Sequence, residues 1–402
     1  MSSLFAELAR QASAHARREV ETYAREIPEF AFLDTSPKAR AETMEHAVWF
    51  RRRTIELAPG NDMLTAEDLG HIASMGEFRA EAGMSLESRG RILRVHTALM
   101  LREINEAAEA QRGGGIDELM RVMSWFAPQG ERGIGAYRQG FLTVLRRRMP
   151  YVAQVALLAR SLLSADPGTE ELARLLDLEP ADHYAVTVIR VPDLPTAHRP
   201  RESDLEALVS THRAPVIWRP EPGELIALVP DTAADTPRPP AVPDHVPDRA
   251  LDLLRDFALT VGRPCAAGTA TAPRSALADA LDRARRISAA APPRRASARL
   301  RPYTMVDVFV ELAVADVPSV DRWLHTVARH LEGGPDLLVT LDAYYRHDMN
   351  RAATATVLNV HPRTLDYRLR RVRDLTGIDP ASTHGVRVLD TAVTRHLSGA
   401  WR

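Results

Sequence analysis

Between Arg363 and Arg373 the chain carries five arginines against one acid, Asp366, a net charge of +4 in eleven residues. Pro362 heads this run and Gly377 follows it, the placement of proline and glycine that opens and closes a helix. Leu365, Leu369 and Val372 fall on one face at helical spacing, which sets Arg363, Thr364, Tyr367, Arg368, Arg370 and Arg371 opposite, with Arg373 beyond. A guanidinium is a rigid fork of donors that bridges guanine O6 and N7 or grips a phosphate. Such a helix suits a major groove, its first turn reaching base edges and its later arginines holding the backbone. The helical wheel assigns His361, Arg363, Thr364, Tyr367 and Arg368 to base edges, and Arg351, Arg370 and Arg371 to phosphates. An arginine-rich helix by itself is equally well a solvated surface, above all in a chain whose 52 basic residues include a single lysine, Lys38.

The neighbouring elements favour the sharper reading. The pattern predicts a helix over 337–346, a link through His347 to Asn350, a short helix over 351–358, a turn at Asn359-Val360-His361 and a long helix over 362–375. Ala352, Ala355 and Leu358 form an apolar face on the short helix, and Val360 plugs the turn. Two helices crossed over a tight turn are the helix-turn-helix geometry, whose second helix enters the groove of double-stranded DNA. One such helix reads only a few base pairs, so a homodimer or higher homo-oligomer on two half-sites is expected.

Upstream, apolar residues from Leu4 to about Leu163 recur at three and four, as in Leu4, Leu8 and Ala12, or Ile92, Val95 and Leu99. Breaks at Pro28, Ala58 to Asp62, Gly83 to Ser85 and Gly113 to Gly115 divide six or seven helices with no strand. After Asp166-Pro167-Gly168 the pattern becomes β-branched, and the order βαββαβ plus a helix predicts a small α/β sandwich with a largely antiparallel sheet, ferredoxin-like or cyclase-like. Pro230 to Pro247, with six prolines, reads as a surface loop. Beyond Ala291 to Arg295, a helical connector is expected from Tyr303 to Leu331, with Val306, Phe309, Val310, Leu324 and Val327 at helical spacing and available for dimerisation. The expected domains are an all-helical domain at 1–165, an α/β domain at 166–300, the connector at 301–333 and the helix-turn-helix at 334–402.

Composition excludes several classes. At 402 residues, with 45% hydrophobic and 26% charged side chains, the chain is multidomain and globular, mainly α with one α/β domain. The single cysteine, Cys265, rules out an intrachain disulfide and multi-cysteine metal motifs, in keeping with a reducing cytoplasmic compartment. The amino terminus lacks the apolar core of a secretory signal, and no run of 18 apolar residues exists to span a membrane. The glycines at Gly113 to Gly115 and Gly130 to Gly140 follow no strand and read as loops rather than phosphate cradles. Cys265 has no partner histidine and no serine sits in a nucleophile elbow, so no catalytic residue, cofactor or metal is expected.

The stretch Leu341-Asp-Ala-Tyr-Tyr-Arg-His-Asp-Met-Asn350, then Ala353 to Leu358, then Val360 to Gly377 resembles the carboxy-terminal helix-turn-helix of the PucR and CdaR-like bacterial transcriptional regulators. The α/β region is similar to the degenerate GGDEF-like domain of that family, and the helical region, including Glu77 to Met84, to its globin-like RsbRD-N domain. The resemblance implies a dimeric transcription factor whose upstream domains sense a small-molecule effector or set the dimer. A working diguanylate cyclase needs a Gly-Gly-Asp/Glu-Glu-Phe hairpin, whereas this chain has Glu221-Pro-Gly-Glu-Leu-Ile226, and its first strand ends Ile189-Arg190-Val191 without a carboxylate for metal. A nucleotide-processing enzyme is therefore the weaker alternative. A globin-like domain also raises haem or another small molecule as its ligand, with His15, His46, His71 and His96 as the histidines present, each expected to be solvated or packed.

Overall fold

A computed structural model describes residues 3–110, 116–166, 168–231 and 246–401, apart from the side chains of Leu86 and Glu87. The chain forms two compact units, Met1–Pro150 and Tyr151–Arg402. The first comprises α1 (Leu4–Glu26), α2 (Phe32–Thr35), α3 (Pro37–Leu57), α4 (Ala66–Glu81), α5 (Leu86–Ala110) and α6 (Ile116–Arg148), with no strand among its described residues. Starts are capped locally: the Ser36 hydroxyl accepts from the Ala39 N–H, and Thr65 and Asp68 form a capping box.

The segment Gly130 to Gly140, expected as a loop, lies inside α6, as does Pro128. The reason is tertiary. A Cβ at Gly140 would stand 2.0 Å from the Ala73 carbonyl oxygen, and one at Gly76 would stand 2.1 Å from that of Tyr137. Only glycine lets α4 and α6 touch backbone to backbone. The glycines cost helix propensity, about 1 kcal/mol each, but the packing of Trp125, Tyr137 and Phe141 in the core of α6 outweighs it. Gly113 to Gly115 lie outside the described residues. A charged cluster is buried in the same unit: Arg51 donates to Glu103 at 2.9 and 2.6 Å and to Glu19 at 2.5 Å.

The second unit opens with α7 (Tyr151–Leu163) and α8 (Thr169–Leu175), followed by β1 (His183–Arg190), α9 (Glu202–His212), β2 (Val216–Arg219), β3 (Glu224–Pro230), α10 (Asp248–Val261), β4 (Ala266–Pro273) and α11 (Leu277–Ala290). The sheet order is β2-β3-β1-β4 and every pairing is antiparallel, with Val188 facing Ile226 on one side and Gly268 on the other. Helix α7, counted with the amino-terminal domain on sequence grounds, packs on β2 and α9. Of the proline-rich loop, residues 232–245 lie outside the described residues.

The expected single connector is two helices, α12 (Met305–Ala315) and α13 (Pro318–Glu332). Val306, Phe309 and Val310 are exposed on α12, whereas Leu324, Val327 and Leu331 of α13 are buried. These last belong to one core with α14 (Leu337–Arg346), α15 (Arg351–Val357), α16 (Pro362–Thr376), Val388 and Leu389 after α17 (Thr383–Gly385), and α18 (Thr391–Ser398). Helix α13 is thus a structural member of the carboxy-terminal bundle. Among the described residues no helix is long and apolar enough to cross a membrane.

Candidate nucleic-acid interface

Local chemistry sets the two crossed helices. The Asn350 side-chain oxygen accepts from the Ala353 N–H at 3.0 Å and starts α15. Asn359 takes a left-handed φ of 51°, which turns the chain, and the Val360 N–H closes onto the Ala355 carbonyl at 2.9 Å. His361 then caps α16, its Nδ1 accepting from the Arg363 N–H at 3.2 Å, and Pro362 fills the first helical position. Gly377, with φ of 72°, ends the helix. The inner face of α16 is Leu365, Leu369 and Val372, as the spacing predicts. The inner face of α15 differs from expectation: Thr354 and Ala355 are buried, Leu358 is half-buried and Ala352 is exposed. Thr354 goes inside because its hydroxyl donates to the Asn350 carbonyl at 2.7 Å and is satisfied within the helix.

The structure gathers most of the sequence-assigned residues on one exposed surface. His361, Arg363, Thr364 and Tyr367 stand exposed at the start of α16, Tyr367 by 60%. Arg370, Arg371 and Arg373 continue the exposed side. Arg351 is exposed and pairs with Asp366 across the two helices at 3.3 Å. Arg368 is the exception. Its side chain is only 16% exposed, and its guanidinium donates to Asp336 at 2.7 Å and to the Thr340 hydroxyl at 3.1 Å. One residue beyond Tyr367 the helix has turned back toward α14, so Arg368 ties α16 to α14 instead of facing outward. Its partners escaped the sequence reading because Asp336 lies just before the helix predicted over 337–346, where spacing gives no reason to pair it with α16. In the structure that side chain makes no cap bond and is left for Arg368.

The α/β domain uses its polar groups structurally. Arg190, at the end of β1, donates to the carbonyls of Ser288, Ala291 and Ser398 at 3.2, 3.3 and 3.1 Å. Glu224, after the hairpin turn, pairs with Arg285 at 3.0 Å. Gly223 has φ of 82° and its missing Cβ would meet the Val191 carbonyl oxygen at 2.8 Å, so the turn itself requires glycine there. Burial pushes the Cys265 thiol up to about 12, which keeps it protonated and unreactive.

Comparison with known proteins matches residues 337–394 to the PucR C-terminal helix-turn-helix domain, residues 161–278 to a GGDEF-like domain, and residues 8–149 to the N-terminal domain of the RsbT co-antagonist protein rsbRD. The three matched regions are similar to the domains of regulators of the PucR/CdaR type. Uncharacterized proteins of Mycobacterium tuberculosis and Mycobacterium bovis are 41% identical over 96 residues, and the match covers 23% of this chain and 23% of theirs. The carbohydrate diacid regulator of Escherichia coli is 48% identical over 40 residues, 10% of either chain. The crystal structure of a regulator of polyketide synthase expression from Bifidobacterium adolescentis is 18% identical and aligns with 62% of this chain and 95% of its own, with a TM-score of 0.24, too low to bear on the fold. The PucR-type helix-turn-helix matched by the comparison contains α14, α15 and α16 whole.

Proposed function

We propose that this protein is a cytoplasmic transcriptional regulator that binds double-stranded operator DNA through α16 and does so as a homodimer. The observation that carries the reading is the two-sidedness of α16: Leu365, Leu369 and Val372 lock one side into the bundle, while His361, Arg363, Thr364, Tyr367, Arg370 and Arg371 are exposed on the other. In this reading His361, Arg363, Thr364 and Tyr367 meet base edges, and Arg351, Arg370 and Arg371 meet phosphates. Arg368 sets the angle of the helix through Asp336 and Thr340. The α/β domain has a noncatalytic, architectural role, supported by the arginine at the end of β1 where a metal-holding carboxylate would be needed. Dimerisation through the connector is supported by Met305, Val306, Phe309, Val310, Val317, Val320 and Trp323, all exposed on α12, on the link after it or on the first half of α13.

The test is recovery of bound genomic DNA followed by footprinting of the full chain. Protection of two half-sites related by a two-fold axis, at a centre spacing of about one helical turn or a multiple of it, is the expected result. Affinity should fall steeply with salt, with a slope of about −0.9 per phosphate neutralised. Affinity unchanged by salt, or footprints with no shared sequence, would overturn the reading.

A further inference from the structure

The helical amino-terminal unit encloses a cavity of about 360 Å³, within the size range of small-molecule sites. Its walls are apolar, with Ile72, Ile92, Leu93, Leu101, Phe126 and Ile134 lining most of it. A polar group of side chains also lines it: Glu19, Tyr23, His46, Arg79, His96 and Tyr137. The exposed residues Met123, Ala127 and Glu131 mark its solvent side.

The two charges in that group are in different positions. Glu19 is fully engaged, accepting from Arg51, from Tyr23 and from His96, the last at 2.9 Å. Burial alone would raise its carboxyl, but His96, Arg51 and Tyr23 outweigh that and hold it well below the usual carboxylate range. Arg51 is in turn saturated by Glu19 and Glu103. Among the described residues Arg79 pairs with no carboxylate. It is 4% exposed, its guanidinium lies 5.2, 5.5 and 5.4 Å from the ring centroids of Tyr23, Phe30 and Tyr137, and it donates to the Tyr137 hydroxyl at 3.3 Å. Its Nε–H has no partner, and neither does Nδ1 of His46, a buried atom of a half-buried imidazole on the same cavity. Burial, and then the Arg79 charge, push His46 well below its ordinary range, so it is neutral and its Nδ1 is available as a donor.

A buried cation that three aromatic faces cushion, but no anion neutralises, is costly unless something completes it. We propose that this cavity binds a small monocarboxylic acid with an apolar body, the carboxylate seated on Arg79 and His46 and the body among the isoleucines, leucines and Phe126. One acid group is the limit, because the other buried cation, Arg51, is already neutralised and Glu19 would repel a second carboxylate. The proposal concerns the helical unit alone and does not depend on the DNA-binding reading.

The test uses the full chain, titrated calorimetrically and melted with octanoate and 4-phenylbutanoate, each against its neutral amide. Binding of at least one acid in a 1:1 ratio with a raised Tm is expected, and its amide should bind at least tenfold more weakly. A Cβ at Gly130, on the cavity wall, meets nothing within 4 Å, so Gly130→Phe has room to fold while filling the cavity. That variant should melt no lower than the parent and lose the acid. Arg79→Gln should erase the preference for acid over amide; if it fails to fold, the amide comparison and Gly130→Phe decide. The proposal is overturned if neither acid binds, if an amide matches its acid, or if Gly130→Phe binds as the parent does.

Discussion

Arg363 and Arg368 belong to one run of arginines and yet have different surroundings. Arg363 is exposed in the first turn of α16, and Arg363→Ala should cost about 1–3 kcal/mol at one base pair while leaving nonspecific affinity nearly intact. Arg368 is tied to Asp336 and Thr340, so Arg368→Ala should weaken binding to all sequences alike and lower stability by about 1 kcal/mol, discounted because Asp336 is largely exposed. Competition anisotropy on matched and scrambled DNA, with a urea melt of each variant, separates the two; equal loss of discrimination in both would refute the assignment. A second residue-scale prediction concerns pH. Burial pushes Glu311 up to about 7 and, aided by Asp342, Asp390 up to about 6. A carboxyl raised on folding takes up protons in the native state, so its contribution is full below about pH 4.5 and is lost as pH rises through about 7. Glu311→Gln should therefore be nearly neutral at pH 4.5 and more stable than the parent at pH 8, by on the order of 1–3 kcal/mol. A parent-minus-variant difference that stays flat across that interval would show that Glu311 is not protonated in the fold.

At the scale of elements, the contact of α4 with α6 rests on the absence of two side chains. Gly140→Ala would drive a Cβ into the Ala73 carbonyl and should cost about 1–3 kcal/mol despite alanine's better helix propensity. Gly135→Ala, in the same helix, meets nothing within 4 Å and should gain up to about 1 kcal/mol. Melting the two variants side by side checks the contrast, and equal effects would mean that the helices are not in backbone contact. The same glycines explain what the sequence could tell. Leu365, Leu369 and Val372, Pro362 and Gly377 at the ends of α16 and the βαββαβ order are local or periodic signals, and all were legible. Gly130 to Gly140 read as a loop because propensity is a local property, whereas the reason for Gly140 is a helix some sixty residues away in sequence. The apolar spacing of α15 omits Thr354, although its hydroxyl is satisfied by its own helix and the residue is buried. The grouping of Glu19, His46, Arg79 and His96 from four different helices around one cavity left no trace at all in spacing.

At the scale of the whole chain, the helix-turn-helix unit begins earlier than its motif. A cut at Gly334 follows the sequence punctuation, but it discards Leu324, Val327, Ala328 and Leu331, all buried against Leu337, Leu341, Leu365 and Leu369. It also removes Asp321, which accepts from Arg395 at 2.7 Å and from the Trp401 indole at 3.0 Å. Each fully buried aliphatic side chain is worth roughly 1.5–3 kcal/mol, so losing the three larger ones removes most of the 5–15 kcal/mol that holds a domain together. A fragment of residues 334–402 should therefore be largely unfolded or molten, with no cooperative melt by circular dichroism and only weak, nonspecific attraction to DNA through its arginines. A fragment of residues 301–402 retains α13, the Asp321 contacts and Glu311, whose carbonyl receives Arg395 at 3.1 Å. It gives up the Arg294–Asp342 pair and the Arg190 bond to Ser398, which lie between the bundle and the α/β domain. Asp342 also lies within 3.9 Å of Arg346, so its charge retains a cation. The longer fragment should thus melt cooperatively, a little below the full chain. A cooperative melt of 334–402 at the same temperature as 301–402 would show that α13 only rests on the bundle and does not build it.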